Sequence, residues 1–274
     1  MLRQDFDAMG DRQKRFEALQ TDQRVMPGLP CIVRMDGQGF SKFTRGMDKP
    51  FDLRFRKAMA ETTRHLVQSR AALIGYTQSD EITLLFENSM EKPIEFDGRV
   101  LKLVSLFAAA ATRAFNEVVR LEMPEYYNRE PLFDARVYSL PTKELALEGV
   151  AWREADATRN SLHMAARSYY SHSDLDGVGF AGQHELLHAK GINWNDYLPM
   201  YKRGTFVLRK MVEKPLSAEV LAKIPEANRP TGPVMRRQAV IADLPPLTKI
   251  SNLTEVFFEG AEPQLYTEAA LEVA

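Results

Sequence analysis

The sequence predicts an α+β protein whose first half runs strand, helix, strand, strand, helix, strand. Three observations predict it. Short apolar runs, the mark of buried strands, fall at 31–35, 71–76, 82–86 and 133–140. Two longer segments, 51–70 and 100–120, read as helices, the first from apolar residues at helical spacing and the second from its alanine and leucine content. The segment 77–81 between the second and third runs is too short for a crossover, so those runs form an antiparallel hairpin.

In chain order, residues 11–20 are charged with sparse apolar positions and read as a surface helix, which Pro27-Gly28-Leu29-Pro30 ends. The first strand follows. Gly37 and Gly39 after it allow tight turns and close approach of backbone to a ligand. The helix over 51–70 is carried by Phe51, Phe55, Ala58, Met59, Thr62 and Leu66. The hairpin strands and the second helix come next, and Pro141 closes the fourth strand. Beyond it, 144–149, 152–170 and 181–189 are helical, and a short apolar strand falls at 206–208. From 214 onward the chain is proline-rich and reads as an irregular tail with one apolar piece at 255–258. There is no internal repeat and no low-complexity tract.

The chain has 274 residues, 45% hydrophobic and 27% charged, a globular composition. No run of about 18 apolar residues exists, so no membrane association is expected. The acidic start, Met1-Leu2-Arg3-Gln4-Asp5-Phe6-Asp7, does not read as a signal peptide. The single cysteine, Cys31, excludes an intrachain disulfide and fits a reducing cytoplasm. A net charge of −1 leaves no global basic field, so a nucleic acid would need a local basic patch.

In the strings 32–40 and 75–81 an apolar run stops at acids: Asp36 in the first, Asp80 and Glu81 in the second. Strands joined by a crossover helix are normally parallel neighbours, which would bring these acids to one spot. Mg²⁺ takes hard oxygen ligands, one or two carboxylates plus substrate phosphates, and a pair of ions can hold both oxygens of a phosphoryl displacement. Strand-end acids that merely face solvent are the plain alternative. The element order is the ferredoxin-like one, shared by polymerase palms and nucleotide cyclases, which is an analogy of fold. The loop 37–41 offers backbone N–H groups to a triphosphate, although a lone Gly-x-Gly is a weak signal.

Lys42, Arg45 and Lys49 follow that loop, and Arg99 and Lys102, three apart, share a helix face. Each is a candidate for phosphate contact, with a solvated basic surface as the alternative. Tyr201-Lys202-Arg203-Gly204-Thr205 is a compact basic turn that suits phosphate or RNA, or is a plain turn. His184-Glu185-Leu186-Leu187-His188 matches the HExxH string of zinc proteases. No third ligand follows at the spacing such sites need, so a helix with polar histidines is the preferred reading.

Seven strings in order resemble the tRNA(His) guanylyltransferase superfamily, the 3′–5′ polymerases. They are Gly10-Asp11-Arg12 with Phe16-Glu17, 34–40, Lys49-Pro50, Gln78-Ser79-Asp80-Glu81, Phe133-Asp134-Ala135-Arg136-Val137, Trp152-Arg153-Glu154-Ala155-Asp156 and 198–205. The resemblance implies a palm-like catalytic domain over 1–140, a helical and basic extension over 141–212, and the tail over 213–274. It implies two Mg²⁺ ions held by Asp36, the backbone oxygen of Gly37, and Asp80, with Glu81 taking part in catalysis. It implies that Gly37, Gln38, Gly39, Phe40 and Ser41, with Ser79, bind nucleotide. Lys49, Arg136, Lys202 and Arg203 become candidates for triphosphate or tRNA contact. The substrates implied are ATP, GTP or another nucleoside triphosphate, and tRNA, on a homotetramer. One departure narrows the resemblance. Eukaryotic members carry His-Ile-Asn-Asn-Leu-Tyr-Asn after the Trp-Arg-x-x-Asp string, where this chain has Thr158-Arg159-Asn160-Ser161-Leu162-His163-Met164. That resembles the bacterial and archaeal branch, which favours templated repair of truncated tRNA 5′ ends. Guanosine addition to tRNA(His), and a palm-fold cyclase that never touches RNA, are the alternatives.

Overall fold

Six strands make one antiparallel sheet: β1 (Cys31–Gln38), β2 (Ile74–Gln78), β3 (Glu81–Phe86), β4 (Leu132–Ser139), β5 (Thr205–Glu213) and β6 (Met235–Ala242), in the spatial order β4-β1-β3-β2-β5-β6. The computed structural model describes residues 6–267 except 214, 231 and 233. The helices are α1 (Phe6–Thr21), α2 (Phe40–Phe43), α3 (Leu53–Arg70), α4 (Val100–Glu122), α5 (Lys143–Arg167), α6 (His172–Leu175), α7 (Phe180–Ala189), α8 (Pro199–Lys202) and α9 (Ala218–Lys223).

Alternation along β1 sends side chains to two faces. Cys31, Val33 and Met35 enter a core with Phe55, Met59 and Leu66 of α3 and Leu103, Phe107 and Phe115 of α4. Ile32 points the other way, into a second core with Leu147 and Val150 of α5. α3 begins at Leu53 because the Asp52 carboxylate accepts the N–H groups of Arg54 at 2.8 Å and Phe55 at 3.2 Å. Among the described residues no helix is long and apolar enough to cross a membrane.

Three expectations change. First, β1 and β2 are not neighbours: β3 lies between them and pairs antiparallel with both. The tight turn at Ser79-Asp80 folds β3 back into the gap that the α3 crossover leaves open, and Ser79 takes a left-handed φ of 47° there. The acids therefore converge through the β1–β3 register rather than through parallel pairing. Second, 144–149 and most of 152–170 form one helix, α5, which runs through Gly149 and ends at Arg167. Third, the tail is only partly irregular. β6 pairs with β5 along its length, and Leu244, Leu247, Val256 and Phe257 are buried in the α5-side core. Strands from all three expected segments thus share one sheet, because β5 offered a free edge that β6 satisfies.

Candidate active site

Asp36 stands opposite Glu81 of β3 on one side and Asp134 of β4 on the other. Directly opposed residues share a face, so the three acids lie on the α5 side of the sheet with Arg34 and Arg136. Asp134, Arg136 and Tyr138 are exposed, which leaves the β4 end of this face open. The Gly37 N–H donates to the Asp80 carbonyl at 3.0 Å and ties the end of β1 to the hairpin tip. Burial first, and the charges of Asp36 and Glu81 after it, push the Asp80 carboxyl above its ordinary range, against hydrogen bonds from its own N–H and from Ser79. Acids that repel in this way are poised for a cation. Among the described residues no group of three or more His, Cys, Asp or Glu side chains is placed to hold a metal. Asp36 and Asp80 offer two carboxylates, a partial donor set of hard oxygens. That set suits a hard ion that keeps waters and takes its remaining ligands from substrate phosphates, and it does not suit a fully protein-caged one.

Glu81 is otherwise committed. Its carboxylate accepts from Arg153 at 2.7 and 2.8 Å, with Arg34 at 4.0 Å and the Thr83 hydroxyl at 3.4 Å. The residue is 8% exposed. In this arrangement Glu81 anchors α5 to the acid strand and flanks Asp36.

The glycine loop is held from beneath. A Cβ on Gly37 would lie 2.4 Å from the Phe40 ring. That ring is buried against Phe43, Phe115 and Phe133, at centroid distances of 5.4, 5.4 and 5.1 Å. Phe40 therefore anchors the loop through the core. The remaining loop residues divide between two cavities. Gln38 and Gly39 line one of about 570 Å³ with Lys42, Arg45 and Arg129. Ser41, Lys49, Ser79 and Asp80 line another of about 500 Å³ with Phe51, Arg56, His163 and Arg167.

The outlying cations have different placements. Arg136 is half exposed on the acid face, 3.5 Å from Asp134. Lys202 donates to the Asn195 carbonyl at 2.6 Å and sits over the Trp194 ring. Arg203 is taken up inside the fold: it meets the Glu154 carboxylate at 2.7 Å and donates to the Leu244 carbonyl at 3.1 Å. Glu154 also accepts the Leu247 N–H at 2.8 Å, so this pair clamps α5 to the C-terminal segment. Arg99 and Lys102 lie far from the acids. Arg99 bridges Arg24 at the start of α4. α4 packs Phe107 on Phe86, which pairs with Cys31 at the far end of β1, and reaches Phe40 only with Phe115, two turns later. Cys31 and Asp36 lie five residues apart on this extended strand, roughly 17 Å, so Arg99 and Lys102 are not part of the acid site. On α7, His184 packs between Phe180 and Trp194, as a structural histidine does.

Two residues of the site carried no assignment from sequence. Arg153 belongs to the Trp-Arg-x-x-Asp string, but its partner Glu81 is distant in the chain. Arg56 sits at core spacing with Met59, Ala60 and Thr63 on α3, and a charge on a buried stripe was the available signal.

A family model described as Thg1, tRNAHis guanylyltransferase, matches residues 10–141. A tRNA(His) guanylyltransferase of Debaryomyces hansenii is 30% identical over 220 residues, covering 72% of this chain and 81% of that protein. A solved bacterial tRNA(His) guanylyltransferase (Thg1)-like protein in complex with ATP has a TM-score of 0.74 to this fold. It is 31% identical and covers 90% of this chain and 97% of that one. A bacterial Thg1-like protein in complex with GTP has a TM-score of 0.68 at 30% identity, over 88% and 94% of the two chains.

Proposed function

The chain belongs to the tRNA(His) guanylyltransferase family, a family of nucleotidyltransferases, and we propose that it extends tRNA 5′ ends in the 3′–5′ direction as a templated repair enzyme. One observation carries the reading: Asp80, whose carbonyl is tied to the Gly37 N–H next to Asp36, lines a cavity with Ser41, Lys49 and Ser79. ATP would activate a 5′-monophosphate by transferring AMP to it with release of pyrophosphate. The 3′-hydroxyl of an incoming nucleoside triphosphate would then attack that phosphorus and expel AMP, or expel pyrophosphate from a 5′-triphosphate. Both steps are phosphoryl transfers, in which positioning and charge stabilisation dominate.

Asp36, Asp80 and the Gly37 carbonyl are the groups that would hold two Mg²⁺ ions, which when bound lower the pKa of the attacking hydroxyl and neutralise the leaving group. Gln38, Gly39 and Ser41 would present backbone N–H groups to the nucleotide, with Phe40 fixing the loop and Gly37, whose N–H is taken by the Asp80 carbonyl, holding its start to the hairpin tip. Lys49 and Ser79 would face its phosphates, and Arg136 the tRNA on the open face. Glu81, held by Arg153, would keep Asp36 in position. The templated branch is favoured by the run 158–164. His163 and Met164 line the cavity, and Ser161 accepts a hydrogen bond from the Trp194 indole at 3.1 Å. A homotetramer would let one tRNA span subunits and supply the basic track that a chain of net charge −1 lacks. A reducing, cytoplasmic setting fits the lone Cys31, whose thiol is buried and pushed up to about 12.

The test is a 5′-truncated, end-labelled tRNA incubated with each nucleoside triphosphate and Mg²⁺. Addition should follow the base opposing the new position. Guanosine added whatever the opposing base, or nucleotide cyclisation without tRNA, would overturn the reading.

A further inference from the structure

Arg56 is only 8% exposed, yet among the described residues its side chain makes no hydrogen bond and no ion pair. Two part-buried arginines near it are matched, Arg153 by Glu81 and Arg203 by Glu154, whereas Arg209 on β5, away from this cavity, also has a buried Nε without a partner. A buried cation without a partner is costly, and folds retain one where something outside the chain supplies the anion. The surroundings of Arg56 say what that anion is. Its guanidinium carbon lies 5.8 Å from the centre of the Phe51 ring and 6.0 Å from that of Phe55, so aromatic faces support it. It lines the same cavity as Lys49, Ser79, Asp80 and Arg167. Lys49 and Arg167 also have no carboxylate partner among the described residues. Of the acids there, Asp52 is consumed by Arg54 and the start of α3, and Asp48 and Asp80 make no ion pair with any of the three cations. A planar fork of N–H donors on an aromatic shelf, flanked by two further cations, matches the oxygens of a phosphate chain.

We propose that Arg56 is a phosphate-binding residue, gripping the polyphosphate of the nucleotide held beside Asp36 and Asp80. This rests on the nucleotide-binding part of the functional reading and not on tRNA or on the direction of synthesis.

The experiment measures affinity of the full chain for GTP and for guanosine by calorimetry, with wild type, Arg56→Met and Arg56→Lys, alongside the melting temperature of each protein without ligand. Arg56→Met should weaken GTP binding about tenfold or more and leave guanosine binding within about twofold, as expected for a lost charged hydrogen bond. Arg56→Lys should recover part of the GTP affinity. Removing an unmatched buried charge should leave the ligand-free melting temperature of Arg56→Met at or above that of wild type. Unchanged GTP affinity in Arg56→Met would overturn the proposal. So would equal weakening of GTP and guanosine together with a lower melting temperature, which marks a structural arginine. If Arg56→Met loses GTP selectively while wild type fails to extend tRNA, the repair reading falls and Arg56 keeps its role. If wild type does not prefer GTP to guanosine, both fall.

Discussion

Replacing Arg153 with methionine isolates the contact that joins α5 to the acid strands. Arg153 and Glu81 have side chains 12% and 10% exposed and share two hydrogen bonds, at 2.7 and 2.8 Å. Methionine fills similar volume but leaves the Glu81 carboxylate buried with only Arg34, at 4.0 Å, as a cation. Removing one partner of a buried pair costs roughly 3–5 kcal/mol. Arg34 takes up part of the orphaned charge, so the lower end, about 3 kcal/mol, is expected. For a domain of this size that corresponds to a melting temperature lower by roughly 6–12 °C. The double variant Arg153→Met with Glu81→Gln removes the orphan charge and should recover a large part of the loss, with a coupling energy of about 1–3 kcal/mol. Urea denaturation at neutral pH, run on both single variants and the double, completes the cycle. A loss below about 1 kcal/mol in Arg153→Met, or a double variant as unstable as the sum of the singles, would refute the argument that the pair anchors α5.

Three further outcomes are expected. Gly37→Ala places a methyl 2.4 Å from the Phe40 ring and should destabilise by about 1–3 kcal/mol while abolishing nucleotide binding, read by urea denaturation and calorimetry. Arg99→Ala with Lys102→Ala should leave the KM for nucleoside triphosphate within about twofold of wild type, since both lie at the end of the sheet away from the acids; a larger rise in steady-state assays would contradict that placement. Burial raises the Glu154 carboxyl above its ordinary 4.5 in spite of Arg203 and the Leu247 N–H. The folded state therefore holds this proton more tightly than the unfolded one, and stability falls as pH rises through the window just above 4.5. Melting curves across that window should show Glu154→Gln losing less stability than wild type, and parallel curves would speak against the raised value.

Much of the fold could be read from local pattern. α4 follows, within two residues at its end, from an alanine- and leucine-rich segment, and the β2–β3 hairpin follows because the segment 77–81 leaves no room for another connection. What escaped reading depends on partners far along the chain. β6 reads as loop in a proline-rich stretch, and only the free edge of β5 makes it a strand. Arg203 reads as a surface cation of a basic turn, and only the buried Glu154 and the Leu244 carbonyl show it to be a clamp. Gly149 ends the first of two helical stretches in the sequence, yet α5 runs through it, with Leu147 and Val150 on either side buried in one core with Ile32.

By itself, the sequence determined that acids end two strands, that a glycine loop follows the first acid, and that a hairpin carries the second. Those features are local: periodicity, turn length and residue type settle them within a few residues. Tertiary structure alone decided that β3 enters between β1 and β2 and sets Glu81 opposite Asp36. It alone decided that Arg153 takes up Glu81 and that Arg56 is buried with no partner beside Asp80. The reason is that charge pairing and desolvation are set by which distant surfaces meet, and the spacing of residues along a chain does not contain that information.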